Sequence, residues 1–160
     1  IAQRLNIEGN ITVSSNKINS FTEYIDNYDT GIQEAVVHHN TDISFSPALT
    51  GNIILNILPM KNVEINVFGK YVSKQYLDNT QQNTRSIEGY YVQNIRIGYT
   101  LPKKWLTECS VSGFIYNVWN NKYEPNGYTF SYIYNGKLTT ENYYFPMAGT
   151  NYAIAIQLKL

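Results

Sequence analysis

Tyr152-Ala153-Ile154-Ala155-Ile156-Gln157-Leu158-Lys159-Leu160 decides the reading of this chain. Tyr152, Ile154, Ile156, Leu158 and Leu160 fall on one side, and Ala153, Ala155, Gln157 and Lys159 on the other. Successive side chains of a strand point to opposite faces, so the segment predicts a strand with one oily and one mixed face. A transmembrane barrel strand has this pattern, with lipid on one side and water on the other.

Five further stretches alternate in the same way. Near Leu5–Ser14, Leu5, Ile7, Gly9, Ile11 and Val13 oppose Asn6, Glu8, Asn10, Thr12 and Ser14. Near Ile43–Ile57, the apolar side is Ile43, Phe45, Pro47, Leu49, Gly51, Ile53, Leu55 and Ile57. Near Val63–Tyr76 it is Val63, Ile65, Val67, Gly69 and Tyr71, and near Tyr90–Leu101 it is Tyr91, Ile95, Ile97, Tyr99 and Leu101. The fifth, Cys109–Trp119, is less clean because Phe114 and Tyr116 interrupt the polar side. None of these apolar sides carries Lys, Arg, Asp or Glu, while Glu8, Glu64, Lys70, Lys74, Arg96 and Lys159 lie opposite. A lipid-facing Lys or Arg at the bilayer midplane costs about 2–4 kcal/mol, so this segregation is expected of a barrel wall.

The connections have the asymmetry of such a barrel. Short breaks at 58–62 and 102–107 alternate with long ones at roughly 15–42, 77–89 and 120–147. Trp105 sits at the short end and Tyr143, Tyr144 and Phe145 at the long end, where aromatic girdles are expected. Asn135-Gly136, between Tyr128–Tyr134 and Lys137–Thr139, predicts a ribbon within the last long connection. The fold class is therefore all-β, an antiparallel up-and-down meander of about six strands. Six strands do not close a membrane barrel, and Ile1 is not a start methionine. Residues 1–160 are thus expected to be the C-terminal segment of a larger barrel. A soluble β-sandwich also has one oily face per strand and stands as the alternative, a tyrosine-rich glycan-binding module. A small closed barrel with two strands hidden in the long connections is a third reading.

Composition narrows the function. Formal net charge is zero, which gives no nucleic-acid footprint. Charged residues make up 15% of the chain, below the roughly 25% of soluble domains, and there are 15 tyrosines, suited to a bilayer interface or a glycan surface. Cys109 is the single cysteine, so no internal disulfide forms.

Four blocks in order strongly resemble the C-terminal part of TonB-dependent outer-membrane receptors, closest to the SusC-like (starch-utilisation-type) branch. They are Gly69-Lys70-Tyr71-Val72-Ser73-Lys74-Gln75-Tyr76-Leu77-Asp78-Asn79-Thr80, Tyr90–Tyr99, Asn117-Val118-Trp119-Asn120-Asn121-Lys122-Tyr123-Glu124-Pro125-Asn126-Gly127-Tyr128, and Tyr143–Tyr152. The resemblance implies the last six strands of a 22-stranded barrel plugged by an N-terminal domain. It also implies active import driven through TonB. The partners it implies are outer-membrane lipid, the TonB system through a plug, a surface lipoprotein, and a glycan or other nutrient as substrate. The family usually ends in Phe, where this chain has Leu160. The terminal set Tyr152, Ile154, Ile156, Leu158 and Leu160 would be the barrel-assembly signal.

Site expectations follow. Glu8, Lys70, Lys74 and Arg96 are lumen-facing, lining the path, contacting a plug or satisfying one another across strands. Tyr123, Tyr128, Tyr132 and Tyr134 are ligand-facing loop aromatics that could stack on sugar rings, or else pack within the ribbon. His38-His39 reads as an exposed loop pair, since adjacent side chains on an extended chain diverge. Glu23, Asp26 and Asp29 offer carboxylates for calcium but lack EF-hand spacing, and no other cofactor is expected. No nucleophile elbow or phosphate loop occurs, so no enzyme activity is expected.

Overall fold

The computed structural model describes residues 4–102 and 108–159. In chain order the strands are β1 (Leu5–Val13), β2 (Lys17–Asn27), β3 (Ile32–Asp42), β4 (Leu49–Met60), β5 (Val63–Val72), β6 (Gln75–Tyr76), β7 (Ser86–Ile87), β8 (Tyr90–Thr100), β9 (Glu108–Tyr116), β10 (Asn126–Tyr134), β11 (Lys137–Phe145) and β12 (Asn151–Lys159). The described residues contain no helix. Trp105 and the turn around it, and Leu160 of the terminal set, lie outside the described residues.

The six alternating stretches form one antiparallel sheet in the order β1-β4-β5-β8-β9-β12. Directly opposed residues of neighbouring strands share a face. Ile7 opposes Leu55, Leu55 opposes Val67, Val67 opposes Ile95, Ile95 opposes Ile115, and Ile115 opposes Tyr152. The next row runs Leu5, Ile57, Ile65, Ile97, Gly113 and Ile154. Register therefore fuses six separate apolar sides into one charge-free flank. A sandwich would bury that flank against a second sheet. Here it stands open, with Ile11 77%, Ile97 49% and Ile154 80% exposed. The sheet is a single layer, as in a barrel wall and not as in a sandwich. The buried apolar residues Ile25, Val72, Leu77, Ile87 and Val92 gather instead at the end with the long connections.

Aromatic residues bracket the flank. Tyr71, Tyr91 and Tyr152 lie toward the long-connection end and Tyr99 toward the other, all at least partly exposed. Eight residue steps separate Tyr91 from Tyr99, about 27 Å along the strand and about 20 Å of height at barrel tilt. Gln93 is the polar member of this flank. Its Oε1 accepts from Trp119 Nε1 at 2.8 Å and from Tyr91 Oη at 3.1 Å, so its carbonyl is satisfied at the girdle. Tyr143, Tyr144 and Phe145 do not form the girdle expected of them. They belong to β11, which pairs with β10 in a separate sheet beyond the wall.

Strand limits differ from the sequence reading where the backbone dictates it. β4 begins at Leu49, not Ile43, because Phe45 adopts a left-handed φ of 53° and Pro47 has no N–H to pair. At its other end β4 runs through Pro59 to Met60, with the pairing irregular between Ile57 and Met60. Asn62, at φ 67°, completes the tight turn into β5. β5 stops at Val72, so Lys74 is outside the wall.

Two of the three long connections are not loops. Residues 15–42, expected to be irregular, form the β2–β3 hairpin, turning at Gly31 with φ 72°. The predicted ribbon is present as β10–β11, and its Asn135-Gly136 turn has φ 52° and 69°, the type I′ signature. The two hairpins join into a four-stranded sheet, β11-β10-β2-β3, through a short parallel contact between Tyr132-Ile133 and Asp26-Asn27. β6 and β7 pair beside them.

Candidate functional site: the polar face and the aromatic row above it

Opposite the apolar flank, the wall presents amides and a few charges. Asn52 donates to Asn10 Oδ1 at 3.0 Å, and Asn66 donates to Asn56 Oδ1 at 2.7 Å. Arg96 bridges three strands, donating to Glu64 at 3.0 Å, Asn66 at 2.8 Å and Ser112 at 2.9 Å. Glu8 accepts from Asn6 at 2.6 Å. Glu8, Lys70 and Arg96 all point to this polar face, but they do not pair with one another as expected. Glu8 sits opposite Ile54, Lys70 opposite Asn52 and Val92, and the partner of Arg96 is Glu64. Lys74 leaves the set. It donates to Asn83 at 2.8 Å and lies 5.4 Å from the Tyr76 ring centroid.

At the long-connection end the polar face meets a recess of ≈ 430 Å³ lined by Val92, Asn94, Tyr116, Asn117, Tyr123 and Met147, among others. Tyr123 belongs here, stacked on Tyr90 with centroids 4.6 Å apart. It is therefore not grouped with Tyr128, Tyr132 and Tyr134.

Those three share one face of β10, as alternate residues must. Their row is longer than the sequence reading drew it. Phe130 lies between them, and β11 adds Tyr143 and Phe145 across the ribbon. Tyr128 and Tyr143 stack at 5.0 Å and 10°, Phe130 and Tyr143 at 6.0 Å and 6°, and Tyr28 of the β2–β3 turn reaches Tyr132 at 5.6 Å. Most of the rings therefore offer edges and hydroxyls, since their faces are taken up by each other. Tyr24 and Tyr134, 65% and 57% exposed, make no ring contact with another aromatic among the described residues. Glu141 stands within the row and accepts from Tyr132 Oη at 3.0 Å and from Tyr143 Oη. These hydrogen bonds to a carboxylate push both phenols above the usual tyrosine range. Phe130 was legible from its period-2 spacing; Glu141 and Tyr28 were not, because cross-strand register puts them there.

The other face of this sheet is tied down. Arg85, 1% exposed, donates through Nη1 to Glu23 of β2 and at 2.9 Å to Asp78. Its Nη2 donates to Ser131 of β10 at 2.7 Å. Burial works against the charged guanidinium, but the hydrogen bonds and charges of Glu23 and Asp78 outweigh it, and its pKa lies above the usual value.

The three carboxylates considered for calcium do not converge. Glu23 holds Arg85 and His38, Asp26 accepts from Gln33 at 2.9 Å, and Asp29 accepts the backbone N–H groups of Asn135 and Gly136 at 2.8 and 2.7 Å. His38 and His39 lie in β3, not in a loop. His38 is half-buried, 3.0 Å from Glu23, and His39 points the other way. Among the described residues no group of three or more His, Cys, Asp or Glu could hold a metal ion.

This is the architecture of a transmembrane-type β-barrel wall, a one-layer meander with one charge-free flank, one polar face and long connections gathered at one end. Two solved structures share it. Over 96% of this chain, with TM-score 0.56 and 12% identity, it is similar to the ferric-catecholate import receptor Fiu from K12 E. coli in its closed form. Over 78%, with TM-score 0.53 and 17% identity, it is similar to the ferric citrate transporter FecA in its unliganded form. At these identities the likeness is one of fold. The chain spans 18% and 19% of the length of those two structures. No family model matches the chain, and no curated protein is similar enough to count as a match.

Proposed function

We propose that this chain is part of the barrel wall of a TonB-dependent active importer in the outer membrane. The polar face lines the barrel interior, the apolar flank meets lipid, and the aromatic row stands at the outer mouth. Passage is by binding and gated release, without bond chemistry. The observation that carries the reading is the register that merges six apolar sides into one open, charge-free flank. Such a surface in water would be far larger than soluble proteins tolerate. The barrel fold shared with two import receptors supports it further.

The four sequence blocks favour the SusC-like branch, with a glycan or another nutrient as substrate, a TonB-contacting plug, and a surface lipoprotein as partner. The exposed phenols of Tyr24, Tyr128 and Tyr134 suit a polyhydroxylated ligand, and the uncharged amides of the polar face offer it exchangeable hydrogen bonds. Deleting the gene and comparing growth on single polysaccharides with growth under iron limitation tests the reading. Loss of growth on one glycan class is expected. A defect confined to iron-limited medium would transfer the substrate to ferric complexes. No defect in any nutrient, with the protein absent from the outer-membrane fraction, would remove the import reading.

A further inference from the structure

Arg85, itself in the segment between β6 and β7, is the most completely buried charge among the described residues, and its side chain reaches all three long connections. Glu23 belongs to the β2–β3 hairpin, Asp78 to the segment between β6 and β7, and Ser131 to the β10–β11 ribbon. These are the three long connections of the wall. Ser131 in turn lies 2.8 Å from Thr140 Oγ1, which carries the contact across to β11. Further contacts join the same parts. Asp29, in the turn of one hairpin, accepts both N–H groups at the turn of the other. The parallel contact at Tyr132-Ile133 extends one sheet into the next. Asn142 adds a bond to the carbonyl of Thr84, and Tyr144 one to that of Ser86.

We propose that Arg85 is a positioning residue that locks the three long connections into one cooperative body, which loosens or settles as a unit while the wall stays in place. The physical reason is geometric. A guanidinium presents a planar fork of donors, so it can hold two carboxylates and a hydroxyl at fixed angles, which a single ammonium cannot. Once buried, it cannot lose a partner without leaving a buried donor or a carboxylate short of its hydrogen bond, so release of one connection weakens the hold on the others. The aromatic row lies on the opposite face of the sheet that Arg85 grips. Its position is therefore set from behind by a residue no ligand would touch.

Amide hydrogen exchange of the protein in detergent micelles, without any ligand, tests this. In Arg85→Met, exchange across 17–42 and across 126–145 should rise together, by roughly a hundredfold, the size expected when a buried pair is broken. Strands β1, β4, β5, β8, β9 and β12 should exchange as before. A rise confined to 75–87, or different rises in the two hairpins, would overturn the proposal. So would equal loss of protection in the wall. Ser131→Ala, which removes one hydroxyl and little volume, keeps the test valid if Arg85→Met fails to fold. It should quicken exchange across 126–145 and across 17–42 together, by about tenfold, as loss of one hydrogen bond to the shared guanidinium allows, and a rise confined to the ribbon counts against the lock. An unaltered ribbon in that variant would equally overturn it. Nitroxides at positions 32 and 137 give a second readout, expected narrow in the parent and broad in Arg85→Met. A distribution that stays narrow counts against the lock. No transport or binding enters these measurements, so the import reading and the lock can fail independently.

Discussion

The phenol of Tyr91 lies over Gly69. A Cβ added to Gly69 would stand 2.8 Å from Tyr91 Oη and 2.8 Å from Ile53 Cγ2, closer than real Cβ atoms come. The glycine leaves a notch in the outer flank, and its diagonal neighbour on β8 fills it. This arrangement covers the bare backbone of a strand glycine with an aromatic side chain.

Gly69→Ala should therefore destabilise the wall by about 1–3 kcal/mol, the usual range for overpacking. Gly113 faces the same flank with nothing within 4 Å of its would-be Cβ. Gly113→Ala should change stability by less than about 0.5 kcal/mol. Urea unfolding of the protein refolded in detergent compares them. Equal effects would mean that the notch is not structural.

The merged flank makes a second contrast. Ile154 and Ile53 lie on it, and Gln157 lies opposite, in register with Ser110. Ile154→Arg or Ile53→Arg should cost about 2–4 kcal/mol in lipid and lower the amount assembled in the outer membrane. Gln157→Arg should assemble nearly as the parent does. Comparable losses in all three would reverse the assignment of faces.

The shared carboxylate of Glu141 has a consequence in alkali. It raises the phenol pKa of Tyr132 and Tyr143 chiefly by accepting their hydrogen bonds. Each hydroxyl thus contributes to the ribbon at pH values below the unfolded tyrosine pKa of about 10, and the contribution is lost as pH rises through the higher folded value. Glu141→Gln should bring both phenols back toward the ordinary range, so that they ionise at lower pH. NMR titration of tyrosines labelled at Cζ would follow each ring. An unchanged midpoint for both would remove Glu141 as the cause.

Asp29 holds the tip of the neighbouring hairpin through two backbone N–H groups. Asp29→Ala leaves them to solvent and should cost about 1 kcal/mol, since the site is exposed. Limited proteolysis at 134–138 should quicken severalfold while cleavage elsewhere keeps its rate. Resistance equal to that of the parent would show that the parallel contact alone secures the tip.

How much was legible follows from how each strand is solvated. The wall strands face two different media, so apolar and polar residues alternate, cleanly in five and less so in β9, where Phe114 and Tyr116 stand on the polar side, and all six were readable in number and order. Strand β2 is different. Tyr24 is exposed on one face, while on the other Ile25 and Asn27 are buried beside the charged Glu23. No period-2 apolar signal survives, and the hairpin reads as a loop. The girdle assignment to Tyr143–Phe145 failed for a related reason: position near a loop end does not say which sheet a strand joins. Tyr128, Tyr132 and Tyr134 share a face of β10, but Tyr123 precedes the strand and turns to Tyr90. Arg85 gives no local signal at all, because Glu23 and Ser131 lie 62 and 46 residues away in the chain.

By itself the sequence determined what is local: alternation within each strand, the turn at Asn135-Gly136, and the absence of charge from six apolar sides. Those follow from backbone geometry and from the solvent each residue meets, and both act over a few neighbouring positions. Only the tertiary structure decided that the six sides merge, that two distant hairpins share a sheet, and that one arginine clamps three connections. These depend on which strands pair and in what register, a choice made by many weak contacts at once across the folded chain.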